Sequence, residues 1–65
     1  MVTAQDVGGR VTDGKRIGVL KDFDPKWTDP ASMPNERTHY PQAWVYFQGA
    51  GERQCSPEIL ERVPR

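Results

Sequence analysis

Apolar and polar positions along this 65-residue chain fall into short alternating runs broken by glycine, proline and Asp-Gly. That is the pattern of short strands joined by turns, with no stretch of helical periodicity. Val7-Gly-Gly-Arg-Val11 predicts a first strand, its glycines permitting a bend or close backbone approach. Asp13-Gly14 is a strong turn dipeptide. After it Arg16–Phe23 predicts a second strand, with apolar residues at 17, 19 and 23 and Lys21 interrupting the alternation. Ala43-Trp-Val-Tyr-Phe-Gln48 predicts the third, and Gly49-Ala-Gly51 a three-residue hairpin turn using glycine for positive φ. Glu52–Cys55 is the returning strand. Ser56 is a good N-cap and Pro57 suits a first helical position, so Ser56–Leu60 predicts a single 3₁₀ turn. Arg62-Val63 predicts a last short strand, ended by Pro64.

Between Asp24 and Pro41 the alternation dissolves, with prolines at 25, 30, 34 and 41. Each fixes φ, removes a donor and pushes its predecessor out of helical geometry. A connection this long is uncommon in a compact domain and is often functional. Trp27, Met33 and Tyr40 would let parts of it touch the body. The expected organisation is one domain over residues 1–65, with a flexible N-terminus at 1–6 and a long Pro-rich loop at 24–41.

Composition limits the core. Only 35% of residues are hydrophobic and the mean hydropathy is −0.78, in a chain near the lower size limit for an unaided core. In the third strand, alternation sends Ala43, Val45 and Phe47 to one face and Trp44, Tyr46 and Gln48 to the other. The smaller set suits an interior shared with Val11, Ile17, Val19 and Val63. Trp44 and Tyr46 then stand outside. Three readings fit them: the 24–41 loop covers them with Trp27 and Tyr40, they take a peptide, a base or a second subunit, or they are exposed without a role.

Charge adds local detail. Nine Lys+Arg balance nine Asp+Glu, so no global field draws in nucleic acid or an anionic membrane. Residues 10–21 nevertheless carry net +3, and residues 22–36 net −3 from Asp22, Asp24, Asp29 and Glu36 against Lys26. The basic segment beside Trp44 and Tyr46 has the makings of a stacking and phosphate surface. Asp22 and Asp24 beside aromatics suit a basic or Pro-rich peptide.

Chemistry-bearing residues are sparse. His39 is the only histidine and sits in a polar loop, where solvation is its ordinary state. Cys55 is the only cysteine, which excludes an internal disulfide framework, favours a reducing interior and reads as a buried inert thiol. One Cys and one His cannot build a structural zinc site. The stretch DFDPKWTD lacks the glycine and terminal Glu of a calcium loop, and no Gly-rich segment opens a helix to hold phosphate. We therefore expect no catalytic residues, no metal and no cofactor. No apolar run approaches the roughly 20 residues of a membrane span. MVTAQDVGGR lacks the charged and apolar regions of a secretory leader, so the expected location is cytoplasmic.

The order strand, Asp-Gly turn, strand, long loop, strand, glycine turn, strand, helical turn, strand resembles the small Src-homology-3-like barrels, including KOW-type and other bacterial versions. The resemblance covers about residues 7–63 and is carried by GGRVTDGKRIGVL and SPEILERV. The Ala-Leu-Tyr-Asp-Tyr type signature of eukaryotic peptide-binding members is absent. GERQCSPEILERV is also similar to the C-terminal segment of type II dihydrofolate reductases, tetrameric barrels of this class, with Gln54, Pro57 and Leu60-Glu61-Arg62 in comparable places. That family's Val-Gln-Ile-Tyr run is here Arg53-Gln54-Cys55-Ser56, which lacks the stacking and packing groups, so the activity does not carry over. The resemblance implies an all-β, five-stranded Src-homology-3-like barrel with one 3₁₀ turn before the last strand, in bacterial or phage style. The expected function is a non-enzymatic binding or adaptor module. It would recognise a protein or peptide, a second copy of the chain included, through Trp27, Tyr40, Trp44 and Tyr46 with Asp22 and Asp24. A nucleic-acid-associated KOW-type module is the alternative, and a small oligomeric reductase a more distant one.

Overall fold

The computed structural model describes residues 1–31, Met33, Asn35 and 38–64; Pro34 and Glu36, counted above, lie outside the described residues. The chain is all-β. Five antiparallel strands, β1 (Arg10–Thr12), β2 (Ile17–Trp27), β3 (Tyr40–Phe47), β4 (Gly51–Cys55) and β5 (Glu61–Arg62), form one sheet in the order β4-β3-β2-β1-β5. A 3₁₀ turn at Pro57–Ile59 precedes the last strand with Pro57 at its first position, as expected, but the Ser56 side chain makes no cap hydrogen bond. The barrel does not close: β4 and β5 are the two edges of the sheet and do not pair with each other.

Side chains build the turns. Between β1 and β2 the Asp13 carboxylate accepts the amides of Lys15 (2.9 Å) and Arg16 (2.8 Å), while the Thr12 hydroxyl donates to the Arg16 carbonyl at 2.7 Å. Gly14 has φ +95°, a conformation that side chains other than glycine's resist. Between β3 and β4 the Ala50 amide donates to the Phe47 carbonyl at 3.0 Å, with Gly49 at φ +86°.

One sheet face holds the core of Val2, Val11, Leu20, Ala43, Val45, Phe47 and Leu60. The inward phase of β3 is the one that alternation predicts. The phase of β2 is the opposite of the expected one. Gly18 and Leu20 point inward, while Ile17 is 57% exposed and Val19 half-buried. The reason is a β-bulge: the register slips between Leu20 and Asp22, so Lys21 is an extra residue and Phe23 rejoins the inner face opposite Ala43. Val63, also expected inside, is half-buried beyond β5.

Two further segments differ from expectation. Val7–Gly9 is not strand, since Gly8 takes φ +90° after a 3₁₀ turn at Ala4–Asp6. That turn occupies the N-terminus expected to be flexible. Thr3 and Asp6 form a capping box in which the Asp6 carboxylate accepts the Thr3 amide at 2.8 Å, and Arg62 Nε lies 2.7 Å from Asp6 Oδ1. Val2 is thereby held in the core with no exposed surface.

The predicted 24–41 loop is shorter than expected, because β2 continues to Trp27 and β3 starts at Tyr40. Proline survives in both strands because neither needs its missing N–H. Pro25 falls within the second register slip, between Asp24 and Trp27, and Pro41 precedes the first rung paired to β4, Ala43–Cys55. β1 leaves β2 after Val19, so the distal part of β2 and β3 is a two-stranded ribbon. It makes the molecule long, 43 × 23 × 18 Å with a radius of gyration of 12.5 Å. A compact chain of this length has about 10.7 Å.

Candidate protein-contact face

The ribbon and the body share one continuous outer face, set by register. Opposite residues in a ladder point to the same side. Val19 lies opposite Tyr46, Asp22 opposite Trp44, Asp24 opposite Gln42 and Trp27 opposite Tyr40. On the flanks Arg10 lies opposite Val19, Glu52 opposite Tyr46 and Gln54 opposite Trp44. All six residues expected to bind, Asp22, Asp24, Trp27, Tyr40, Trp44 and Tyr46, therefore occupy the same side of β2 and β3. Trp27 joins them only because its segment is strand.

Within this face the aromatic rings meet edge to face. Trp27 packs on Tyr40 with centroids 5.5 Å apart at 77°, and on Trp44 at 6.4 Å and 74°. Such contacts hold the rings in place beyond the area they bury. Trp27 and Trp44 are half-buried in consequence, whereas Tyr40 remains 37% and Tyr46 46% exposed. Covering of the strip is thus partial, and it comes from a neighbouring strand. A diagonal hydrogen bond from Gln54 Nε2 to Gln42 Oε1, 2.9 Å, continues the face across β3 to β4.

Two members of the face were not expected there. Ile17 and Val19, assigned to the interior by alternation, instead extend the aromatic strip toward the body. With Arg10, Tyr46 and Gln48 they line a shallow recess of about 510 Å³. The interrupting Lys21 was the available signal, since a charge breaking an alternation marks a bulge as readily as an exposed edge.

Elsewhere, among the described residues, every buried side-chain nitrogen and oxygen has a hydrogen-bond partner. His39 Nδ1 and the Thr28 hydroxyl lie 2.6 Å apart at the mouth of the ribbon. A second cleft of about 700 Å³ lies between the N-terminal turn and residues 62–64, with the Asp6–Arg62 pair among its lining residues. Cys55 is half-buried against the core opposite Ala43, and burial, reinforced by the charge of Asp13, pushes its thiol pKa up. This environment keeps the thiol protonated and slow to react. Among the described residues no three His, Cys, Asp or Glu side chains gather as a metal-ligand set, and no helix is long and apolar enough to cross a membrane.

Comparison with protein-family models, with curated proteins and with solved structures found no match to this chain.

Proposed function

We propose that this chain is a non-enzymatic protein-binding module whose contact surface is the outer face of β2 and β3. The observation that carries this reading is the position of Trp27, Tyr40, Trp44 and Tyr46 on one face, away from the core, with Ile17 and Val19 continuing the strip. Tyr, Trp and Arg are the residue types in which interface energy concentrates. The strand order, with a 3₁₀ turn ahead of β5, supports kinship with opened Src-homology-3-like sheets. A single unpaired cysteine fits work in a reducing compartment.

Asp22 and Asp24 favour protein over nucleic acid as the partner. They stand on the strip itself, where a phosphate backbone would meet two carboxylates. The test is a titration of dilute protein with cationic and proline-containing peptides, followed by Trp fluorescence and repeated with duplex DNA and RNA. We expect a saturable peptide response that Trp44→Ser/Tyr46→Ser abolishes while the β spectrum is kept. Binding of DNA or RNA that weakens steeply with salt, with no peptide response, would overturn the reading in favour of a KOW-type module.

A further inference from the structure

The recess at the body end of the face sets a cation beside an apolar floor. Arg10, Val19 and Tyr46 stand on one rung of the sheet, in that order, and Ile17, Gly18 and Gln48 complete the lining. Arg10 is exposed and forms no ion pair among the described residues. Its guanidinium fork is open to a carboxylate. Neighbouring strands lie about 4.8 Å apart, so this cation is one strand away from the aliphatic floor. A residue that fills the floor and meets Arg10 at once must carry a carboxylate on its own backbone, next to an apolar side chain. In a protein that combination occurs only at the C-terminal end. An internal aspartate or glutamate brings the charge without the apolar group.

Beyond the recess the same side of the strip turns acidic. Asp22 and Asp24 lie opposite Trp44 and Gln42, two and four residues along β3 from Tyr46. An extended chain advances about 3.3 Å per residue and sends alternate side chains to one side. With its last residue over Val19, the residues two and four before the end therefore lie beside Asp22 and Asp24. The remaining charge on the rung of the recess is Glu52, across Tyr46 on β4. It stands three strands from Arg10, about 14 Å, beyond the roughly 8 Å screening length of physiological salt.

We infer that this face takes the free C-terminal end of a partner protein. An apolar last residue fills the recess, its carboxylate meets Arg10, and basic residues two and four positions before it meet Asp22 and Asp24. The inference rests on the proposed protein-binding face and names the part of the partner it holds. Charge fixes the direction, since a reversed chain would set its carboxylate at Asp24 and a cation at Arg10.

The test is fluorescence anisotropy with an N-terminally labelled synthetic peptide that ends in leucine and has lysines two and four positions before it. The same peptide with an amidated end is the comparison, and far-UV circular dichroism verifies that each variant is folded. The free acid should bind about tenfold or more tighter than the amide, the usual weight of a charge-assisted pair. Arg10→Gln should bring the acid down to the level of the amide and leave the amide unchanged, a pattern that loss of fold would not produce. Moving both lysines by one position should weaken binding severalfold, and Asp22→Asn should remove that dependence. Equal binding of acid and amide overturns the inference. So does N-acetyl-leucine binding as tightly as the peptide, which would assign the recess to a small apolar acid. Should acid and amide bind alike and both be lost in Trp44→Ser/Tyr46→Ser, the binding face stands and only the chain end falls. Should no peptide bind, the face falls with it.

Discussion

Gly18 lies directly opposite Phe47 in the β2–β3 ladder, and the missing side chain of the one makes room for the ring of the other. A Cβ at Gly18 would sit 2.8 Å from Phe47 Cδ1, 2.7 Å from Val45 Cγ1 and 2.6 Å from the Tyr46 carbonyl oxygen. The last of these is backbone in the middle of a sheet and cannot swing aside. Gly18→Val should therefore destabilise the protein by about 1–3 kcal/mol, the usual range for overpacking a filled core. Urea unfolding of the two proteins measures it, and equal midpoints would refute the crowding.

Phe47 itself is the largest fully buried side chain, with the Arg16 guanidinium 4.7 Å above its ring centroid. Phe47→Ala should remove about 3–5 kcal/mol, comparable to the whole stability of a small domain. Tyr46→Ser, one residue away on the opposite face, should leave the thermal midpoint nearly unchanged. If Tyr46→Ser unfolds the chain and Phe47→Ala does not, the strand phase described here is reversed.

The Asp6 carboxylate ties three segments together. It accepts the Thr3 amide, receives Arg62 Nε from β5, and so fixes the turn that places Val2 in the core. Asp6→Ala should cost about 1–3 kcal/mol through loss of the cap and of a buried hydrogen-bonding group. Hydrogen exchange offers the sharper measurement. Protection should fall first at the amides of Val7 and Gly9, which bond back to the Ala4 and Asp6 carbonyls of this turn, and at that of Val63, which bonds to the Arg10 carbonyl.

Acid should loosen the β1–β2 turn. The hydrogen bond from the Arg16 amide, and after it that from Lys15, hold the Asp13 carboxyl below its ordinary pKa of 3.8. A depressed folded pKa means stabilisation that is present above the unfolded value and is lost as pH falls through the folded one. Asp13→Asn keeps an acceptor oxygen but has no charge to lose. The difference in urea midpoint between wild type and Asp13→Asn should thus be largest near neutrality and shrink as pH drops below 3.8. A difference independent of pH would exclude the carboxylate as its source.

Much of the candidate face was legible in local pattern. The alternation in Ala43–Phe47 separated Val45 from Trp44 and Tyr46, and the acidic pair at 22 and 24 was visible beside them. Ile17 and Val19 were assigned to the wrong side because period-2 alternation has no origin of its own. The inward set along β2 runs 18, 20 and 23, and its first member is a glycine, which carries no hydrophobic signal.

By itself the sequence determined where the chain turns at Asp13-Gly14, at Gly49 and at Ser56-Pro57. Asp13 acts through side-chain hydrogen bonds to nearby amides, Gly14 and Gly49 through positive φ and Pro57 through its fixed φ, so they need no distant partner. Only the tertiary structure decided which strands stay paired to their ends, and through that, what proline permits. Pro25 and Pro41 break a strand whose N–H must be bonded and leave intact one whose edge is free, and the early departure of β1 and the late arrival of β4 make those edges free. The ribbon, its long axis and the gathering of Trp27 and Tyr40 onto the face of Trp44 follow from that pairing. Local periodicity carries no record of it.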